Sequence, residues 1–253
     1  MDETAIARAA EAVVAARLAH GRLGPILREA GVEAGYAVQA TANARLAATL
    51  GPVAGHKIGG TNKAMQQFLG ASEPIGGEVF ASTVHPSGAT LRLADLVLPG
   101  VETEIAVRLA RDLPPRERPW TQAEVEAAVG EVMAAIEVVD DRYVDYRSAG
   151  AATIDADNAF NAAVILGQPA VGWRTLALDR LRARTFVDGA LVAEGSSDAL
   201  LGHPMAALLW LAERRRRLGL GLAAGQLVSL GSMTPPQWMA APSRARIEVE
   251  GLG

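Results

Sequence analysis

Two glutamates in one apolar segment are the residues best placed to do chemistry. Residues 101–109 predict a strand, and Glu102 and Glu104 stand two positions apart within it. Side chains two residues apart on a strand share a face, whereas on a helix they would diverge. Adjacent carboxylates repel each other, and burying them without a partner is costly. A cation, a basic side chain or water must therefore accompany them, unless the strand is an exposed edge with two solvated acids.

A third carboxylate, Glu137, lies in a second apolar run that predicts a buried strand over residues 134–139. A carboxylate in a buried strand needs a partner. Three acids from two strands, with water completing the coordination, suit an octahedral Mg²⁺ or Mn²⁺ ion. We interpret Asp140 and Asp141, which follow this strand, as caps or as partners of Arg142 and not as metal ligands.

Lys57 is the second indication of a site. It lies in a glycine-flanked strand end, residues 55–60, where a lysine is unexpected. Near a metal-bound anionic substrate, its ammonium can bind a carboxylate or stabilise an enolate. The alternative is an apolar stem that carries the charge out to solvent.

The elements that must position these residues are, in chain order, two N-terminal helices and then a strand-rich body. Residues 3 to about 30 and residues 33–49 have apolar positions at helical spacing, which suits scaffold and oligomer contact. From residue 53 onward, short strands alternate with Gly and Pro turns, one of them expected at Gly76-Gly77. This order predicts an α+β fold. We expect an N-terminal helical segment (1–52) and a catalytic body (53–253) that form one continuous domain.

Composition excludes several classes of protein. The 253 residues are 50% hydrophobic with a net charge of −4, which allows a sizeable core and argues against nucleic-acid binding. The chain has no cysteine, so disulfides, thiolate metal sites and a cysteine nucleophile are excluded. An acidic start without a signal peptide, and no apolar run near the ~20 residues that span a bilayer, predict a cytoplasmic protein without membrane contact.

Several segments, in this order, resemble the 2-keto-4-pentenoate hydratases of the fumarylacetoacetate hydrolase superfamily. They are residues 55–70, 102–106, 135–140, 155–167, 203–212 and 230–234. The motifs are individually modest, but their order and spacing are specific. The resemblance implies a mixed β-roll wrapped by helices, one divalent cation, Mg²⁺ or Mn²⁺, and a homo-oligomer.

The resemblance also implies a function and a site. The substrate would be a small 2-oxo acid such as 2-hydroxypenta-2,4-dienoate from aromatic catabolism, hydrated to a 4-hydroxy-2-oxo acid. Close relatives decarboxylate 4-oxalocrotonate, and because one metal acting as a Lewis acid serves both reactions, the ligands do not separate them. The implied metal ligands are Glu102, Glu104 and Glu137, the catalytic residue is Lys57, and the substrate contacts are Lys57, Gly59, Asn158, Ser232 and Thr234.

The chain departs from this family at three places. Ala81-Ser82 follows Phe80 where an acidic residue is common, Phe160-Asn161 stands where a serine is common, and His56 replaces a frequent aromatic residue. Glu78 and His85 are candidates for the missing acid or base. A lyase is the preferred prediction. The alternatives are an acylpyruvate hydrolase, whose usual His-Glu dyad is not evident, and a non-catalytic subunit that stabilises a paralogous enzyme.

Overall fold

The computed structural model describes residues 1–28 and 30–253, with the backbone but not the side chain of Phe68. The helices are α1 (Glu3–Leu18), α2 (Val32–Leu50), α3 (Lys63–Leu69), α4 (Gln122–Ala128), α5 (Ala151–Ala156) and α6 (Pro204–Arg217). The strands are β1 (Val53–Gly59), β2 (Ile75–Phe80), β3 (Val84–Pro86), β4 (Pro99–Leu109), β5 (Val129–Asp140), β6 (Asn161–Leu166), β7 (Arg182–Val187), β8 (Ala190–Ser196), β9 (Leu227–Ser232), β10 (Gln237–Trp238) and β11 (Ala245–Val249).

The strands form two sheets. Seven strands of the larger sheet follow the order β2-β1-β9-β4-β5-β6-β3, with β10 paired to β4, and the smaller sheet has the order β11-β7-β8. Most neighbours are antiparallel, but β1 and β9, and β3 and β6, run parallel. The long strands β4 and β5 pair along their whole length near the middle of the larger sheet. This mixed sheet with helices around it confirms the predicted α+β roll.

Helices and the smaller sheet bury the faces of the larger sheet. Ile105 and Val107 of β4 belong to one apolar core with Leu208 of α6 and Val249 of β11. A second core joins α1, α2 and α5. Helices α2 and α5 approach so closely that a Cβ on Gly35 would lie 2.5 Å from the carbonyl oxygen of Ala152, so only glycine fits there. Burial on both faces explains why β4 reads as an almost continuous apolar run.

A buried ionic network ties the N-terminal helices to the body. Arg17 of α1 donates to the Asp157 carboxylate at 3.2 Å and to the carbonyl of Asn161 at 3.1 Å. Arg142 donates to the other carboxylate oxygen of Asp157 at 2.9 Å. All three charged side chains are at most 8% exposed. Helix α1 therefore braces the segment that leads into β6, while the division at residue 52 stays a prediction.

Local signals placed most elements, with two differences. The first helix ends at Leu18 instead of near residue 30, because His20 adopts a left-handed φ of 50° and the chain turns away. Gly76 and Gly77 form no turn; they lie inside β2, opposite β1. Glycine gives room at 77, because a Cβ there would crowd the Asn158 carbonyl oxygen at 3.1 Å and Cδ of Lys57 at 3.3 Å.

Candidate metal centre and active-site cavity

Three carboxylates converge between β4 and β5. Glu102 and Glu104 alternate on β4 and so share a face, and Glu102 lies directly opposite Glu137 of β5 in the antiparallel register. One oxygen from each carboxylate lies within 4.8 Å of the others. Glu104 and Glu137 are fully buried, and Glu102 is partly buried. The two strands thus bring together the three acids that were predicted as metal ligands.

The hydrogen bonds of the triad leave oxygens for a cation. Glu104 Oε2 accepts hydrogen bonds from the Ser229 hydroxyl and the Gly231 amide, and Glu137 Oε1 accepts from Asn161 Nδ2 at 2.8 Å. Glu104 Oε1 and Glu137 Oε2 are buried and have no hydrogen-bond partner among the described residues. An unpartnered buried carboxylate oxygen is costly. These free oxygens, together with Glu102, form an oxygen donor set that fits Mg²⁺ or Mn²⁺.

The electrostatics of the triad point the same way. Burial, followed by the negative charge of Glu137, raises the pKa of Glu102 to about 8. Burial and then the charges of Glu137 and Glu102 raise the pKa of Glu104 well above its ordinary value. Carboxylates resist ionisation when they are crowded and desolvated. A divalent cation would reverse this penalty and hold all three in the ionised form.

Lys57 turns inward to the triad and not outward to solvent. Its side chain is 3% exposed, and Nζ lies 3.2 Å from Glu137 Oε1 and 2.9 Å from the carbonyl oxygen of Ala159, to which it donates. Burial alone disfavours the charged lysine, but the neighbouring carboxylates, Glu137 first, outweigh it and raise the pKa of Lys57. Lys57 therefore stays cationic beside the metal ligands.

A left-handed backbone segment presents the acceptor for Lys57. Asn158, Ala159 and Phe160 have φ values of 58°, 47° and 69°. This conformation costs non-glycine residues about 1–2 kcal/mol each. The Asn158 amide holds the segment in place: Nδ2 donates to the Glu78 carbonyl at 3.0 Å, and Oδ1 accepts from the Glu78 amide at 3.0 Å. Strain stored in this way is typical of functional sites.

A cavity of about 500 Å³ opens beside the triad. Of the predicted substrate contacts, Lys57, Gly59, Ser232 and Thr234 line it, as does Glu102. Asn158 is not among its lining residues; it is buried and bonded to β2 and to Asn43. Substrate contact by Asn158 therefore stays a prediction, and the geometry makes it a residue that positions Ala159 and Lys57.

Sequence reasoning missed the residues that orient the ligands. Asn161 begins β6 and reaches Glu137, while Ser229 and Gly231 reach Glu104 from β9. Asn161 had a weak signal, a polar residue at the start of an apolar run. Ser229 had none, because its pairing with β4 is a long-range contact. Such partners fix the orientation and basicity of metal ligands.

Other polar residues near the site have structural roles. Asp140 Oδ1 accepts from the Val97 and Leu98 amides at 2.9 and 2.8 Å, and Oδ2 lies 3.3 Å from Arg142, as predicted for a cap and ion-pair partner. Neither Glu78 nor His85, the candidates for the missing acid or base, lines the cavity.

Among the described residues, no helix combines the length and apolarity needed to cross a bilayer.

Comparison with known proteins identifies the family of the chain. The sequence profile of the fumarylacetoacetate (FAA) hydrolase C-terminal family matches residues 46–253. The chain is 38% identical over 218 residues to a 2-keto-4-pentenoate hydratase of Paraburkholderia phymatum, covering 86% of this chain and 82% of that protein. It is 32% identical over 204 residues to a 2-hydroxyhexa-2,4-dienoate hydratase of Comamonas testosteroni, covering 79% of this chain and 76% of that one.

A solved structure matches the whole chain. The 4-oxalocrotonate decarboxylase of Pseudomonas putida G7, complexed with magnesium and adipate, superposes with a TM-score of 0.92 at 26% identity, covering 100% of this chain and 96% of that one. The relatives are named as enzymes, and the predicted resemblance is confirmed. The chain belongs to the 2-keto-4-pentenoate hydratase and 4-oxalocrotonate decarboxylase family, within the fumarylacetoacetate hydrolase superfamily.

Proposed function

We propose that the protein is a metal-dependent lyase that hydrates 2-hydroxy-2,4-dienoic acids to 4-hydroxy-2-oxo acids. The observation that carries this is the buried triad with an inward lysine beside a cavity. Relatives at 32–38% identity named as hydratases support the reaction type. The match to the decarboxylase structure keeps decarboxylation of a dicarboxylate as the second candidate.

Glu102, Glu104 and Glu137 would hold one Mg²⁺ or Mn²⁺ ion, which when bound supplies Lewis-acid polarisation of the substrate's 2-oxygen. An ammonium has three donors. Two of those on Lys57 serve Ala159 and Glu137, and the third can bind the substrate carboxylate or the developing enolate oxygen. Ser232 and Thr234 line the same cavity and can orient the acid from the β9 side.

The remaining alternatives have less support in the geometry. An acylpyruvate hydrolase would be expected to place a histidine at the reacting carbon, yet no histidine in the described part of the chain lines the cavity. A non-catalytic subunit gains nothing from a desolvated triad, whose burial without a cation is unfavourable. We also propose that the protein is cytoplasmic and homo-oligomeric, because it resembles this family. Light scattering on the purified protein tests the oligomeric state.

The test is product identification. Fresh 2-hydroxypenta-2,4-dienoate and 2-hydroxymuconate are incubated separately with protein and Mg²⁺, with EDTA controls, and followed by proton NMR. Metal-dependent 4-hydroxy-2-oxopentanoate supports the hydratase, whereas CO₂ loss from 2-hydroxymuconate supports the decarboxylase. Lys57→Met and Glu104→Gln should abolish turnover. Glu131→Gln, a half-exposed carboxylate on the same strand as Glu137, should retain it. No metal-dependent product from either substrate would overturn the lyase proposal.

A further inference from the structure

The cavity has one charged end, a few polar side chains and mostly apolar walls. Lys57 and Glu102 define the charged end. Most of the remaining lining consists of aliphatic and aromatic side chains, including Met65, Ile75, Ile154, Phe160, Tyr146 and Trp238. A cavity of about 500 Å³ is in the range that encloses ligands much larger than a five-carbon acid. The space that a small acid bound at the charged end would leave unfilled therefore suits an apolar substituent.

The charges that line the cavity determine whether it can accept a substrate with a second carboxylate. Lys57 is the only cation among the described residues that line it, and Lys57 is already paired with Glu137 at 3.2 Å. A distal carboxylate would meet no counter-charge among these lining residues and would lose part of its hydration against the apolar walls, which is unfavourable. The exposed guanidinium of Arg147 stacks 4.7 Å from the Tyr146 ring centroid but does not line the cavity.

One wall of the cavity is built from aromatic rings. Phe160 meets Tyr146 edge-on with centroids 5.9 Å apart, and Trp238 lies 6.5 Å from Phe160 and 6.3 Å from Tyr146. The left-handed backbone at Phe160 and a further edge-on contact with Tyr143 at 5.0 Å hold the central ring. Aromatic faces and edges bind another ring in offset or edge-to-face geometry.

We propose that this cavity selects 2-oxo or 2-hydroxy-dienoic monocarboxylates that carry a bulky apolar substituent, such as an aryl ring, at the end distal to the metal centre, and discriminates against dicarboxylates. This inference rests on the proposed function for the reacting end of the substrate and goes beyond it in naming the distal group. It separates the two candidate reactions, because a 4-oxalocrotonate-type substrate carries the second carboxylate that the cavity leaves unpaired.

Binding of non-reacting 2-oxo acids tests the selectivity without relying on catalysis. Two pairs are compared by calorimetry with Mn²⁺ present: 2-oxo-4-phenylbutanoate with 2-oxopentanoate, and 2-oxoadipate with 2-oxohexanoate. We expect the phenyl acid to bind at least tenfold more tightly than 2-oxopentanoate, and 2-oxoadipate at least tenfold more weakly than 2-oxohexanoate. Phe160→Ala and, separately, Trp238→Ala should remove the phenyl preference, measured in each variant as the ratio of its affinity for 2-oxo-4-phenylbutanoate to its affinity for 2-oxopentanoate. Val171→Ala, at a fully exposed position, is the matched control.

The outcomes separate this inference from the function on which it rests. The proposed selectivity is overturned if 2-oxoadipate binds more tightly than 2-oxohexanoate, or if the phenyl acid binds no more tightly than 2-oxopentanoate. If a preference for 2-oxoadipate is found and Arg147→Met abolishes it, the guanidinium of Arg147 is the group that binds the second carboxylate. Binding in the expected order without turnover of any dienoate refutes the lyase and supports the selectivity. Faster turnover of 2-hydroxymuconate than of 2-hydroxy-5-phenylpenta-2,4-dienoate refutes the selectivity while the lyase stands.

Discussion

Replacing Glu102 with glutamine should stabilise the metal-free protein and weaken its hold on metal. Burial, and then Glu137, raise the pKa of Glu102 from 4.5 to about 8. Because the folded pKa lies above the unfolded one, the stability that this group contributes is fully present below pH 4.5 and is lost as the pH rises towards 8. Between pH 4.5 and pH 7 the free energy of unfolding falls over about 2.5 pH units, which corresponds to at most about 3 kcal/mol. The figure is an upper limit because the carboxylate keeps some contact with solvent.

Glutamine cannot ionise, so Glu102→Gln avoids this loss. In EDTA the free energy of unfolding of the variant should exceed that of the parent by up to about 3 kcal/mol at pH 7 but by only about 1 kcal/mol at pH 5. For a chain of this size, 1 kcal/mol corresponds to roughly 2–4 °C in Tm, so the gain in Tm at pH 7 is at most about 12 °C. With Mn²⁺ at 100 times its Kd, the parent should gain about 2.7 kcal/mol and the variant much less.

Thermal melts at pH 5 and pH 7, each with EDTA and with Mn²⁺, measure both effects. Glu131→Gln is the control, because this half-exposed carboxylate pairs with Arg108 at the surface and should change neither the pH dependence nor the response to metal. Charge crowding at Glu102 would be refuted if metal-free Glu102→Gln melted at a lower temperature than the parent at pH 7. It would also be refuted if the difference in Tm between the two proteins were the same at pH 5 and pH 7. Full stabilisation of the variant by Mn²⁺ would remove Glu102 from the ligand set.

Three further changes test the supporting structure. Burial, and then the charge of Arg215, lower the pKa of His56 to about 3, so its contribution to the free energy of unfolding should fall by about 1.4 kcal/mol per pH unit below 6.5. In urea melts, His56→Phe should therefore lose about 2 kcal/mol less stability than the parent between pH 7 and pH 5. Equal losses in the two proteins would contradict this. Asn161→Ala removes the donor to Glu137 and should weaken Mn²⁺ binding about 10–100-fold by calorimetry, whereas an unchanged Kd would exclude a positioning role. Gly231→Ala places a Cβ 2.5 Å from Cγ2 of Thr61 at a φ of 111°, and should cost about 1–3 kcal/mol in denaturant melts. Its control, Gly172→Ala, has a left-handed φ of 70° but open space, so equal losses in both would argue against a clash.

Local patterns in the sequence predicted much of the fold and the shared face of two carboxylates in the site. The period of two along a strand placed Glu102 and Glu104 on one face, and they are on one face. Two structural features are local in the same sense: α4 begins with a capping box of Thr121 and Glu124, and β7 and β8 join in a hairpin through Asp188-Gly189. These signals depend on dihedral preferences and hydrogen bonds between near neighbours, which the order of residues alone determines.

Contacts between distant segments were decided by the tertiary structure alone. The register that sets Glu137 opposite Glu102 depends on the pairing of β4 with β5, and the acceptor for Lys57 is the carbonyl of Ala159, 102 residues further along. The apolar character of the segment around Lys57 left its direction open; burial against three carboxylates turned it inward. The aromatic wall joins Phe160 to Trp238 in the same way. Periodicity tells which face a side chain takes, but only the packing of the whole chain determines which side chains meet there.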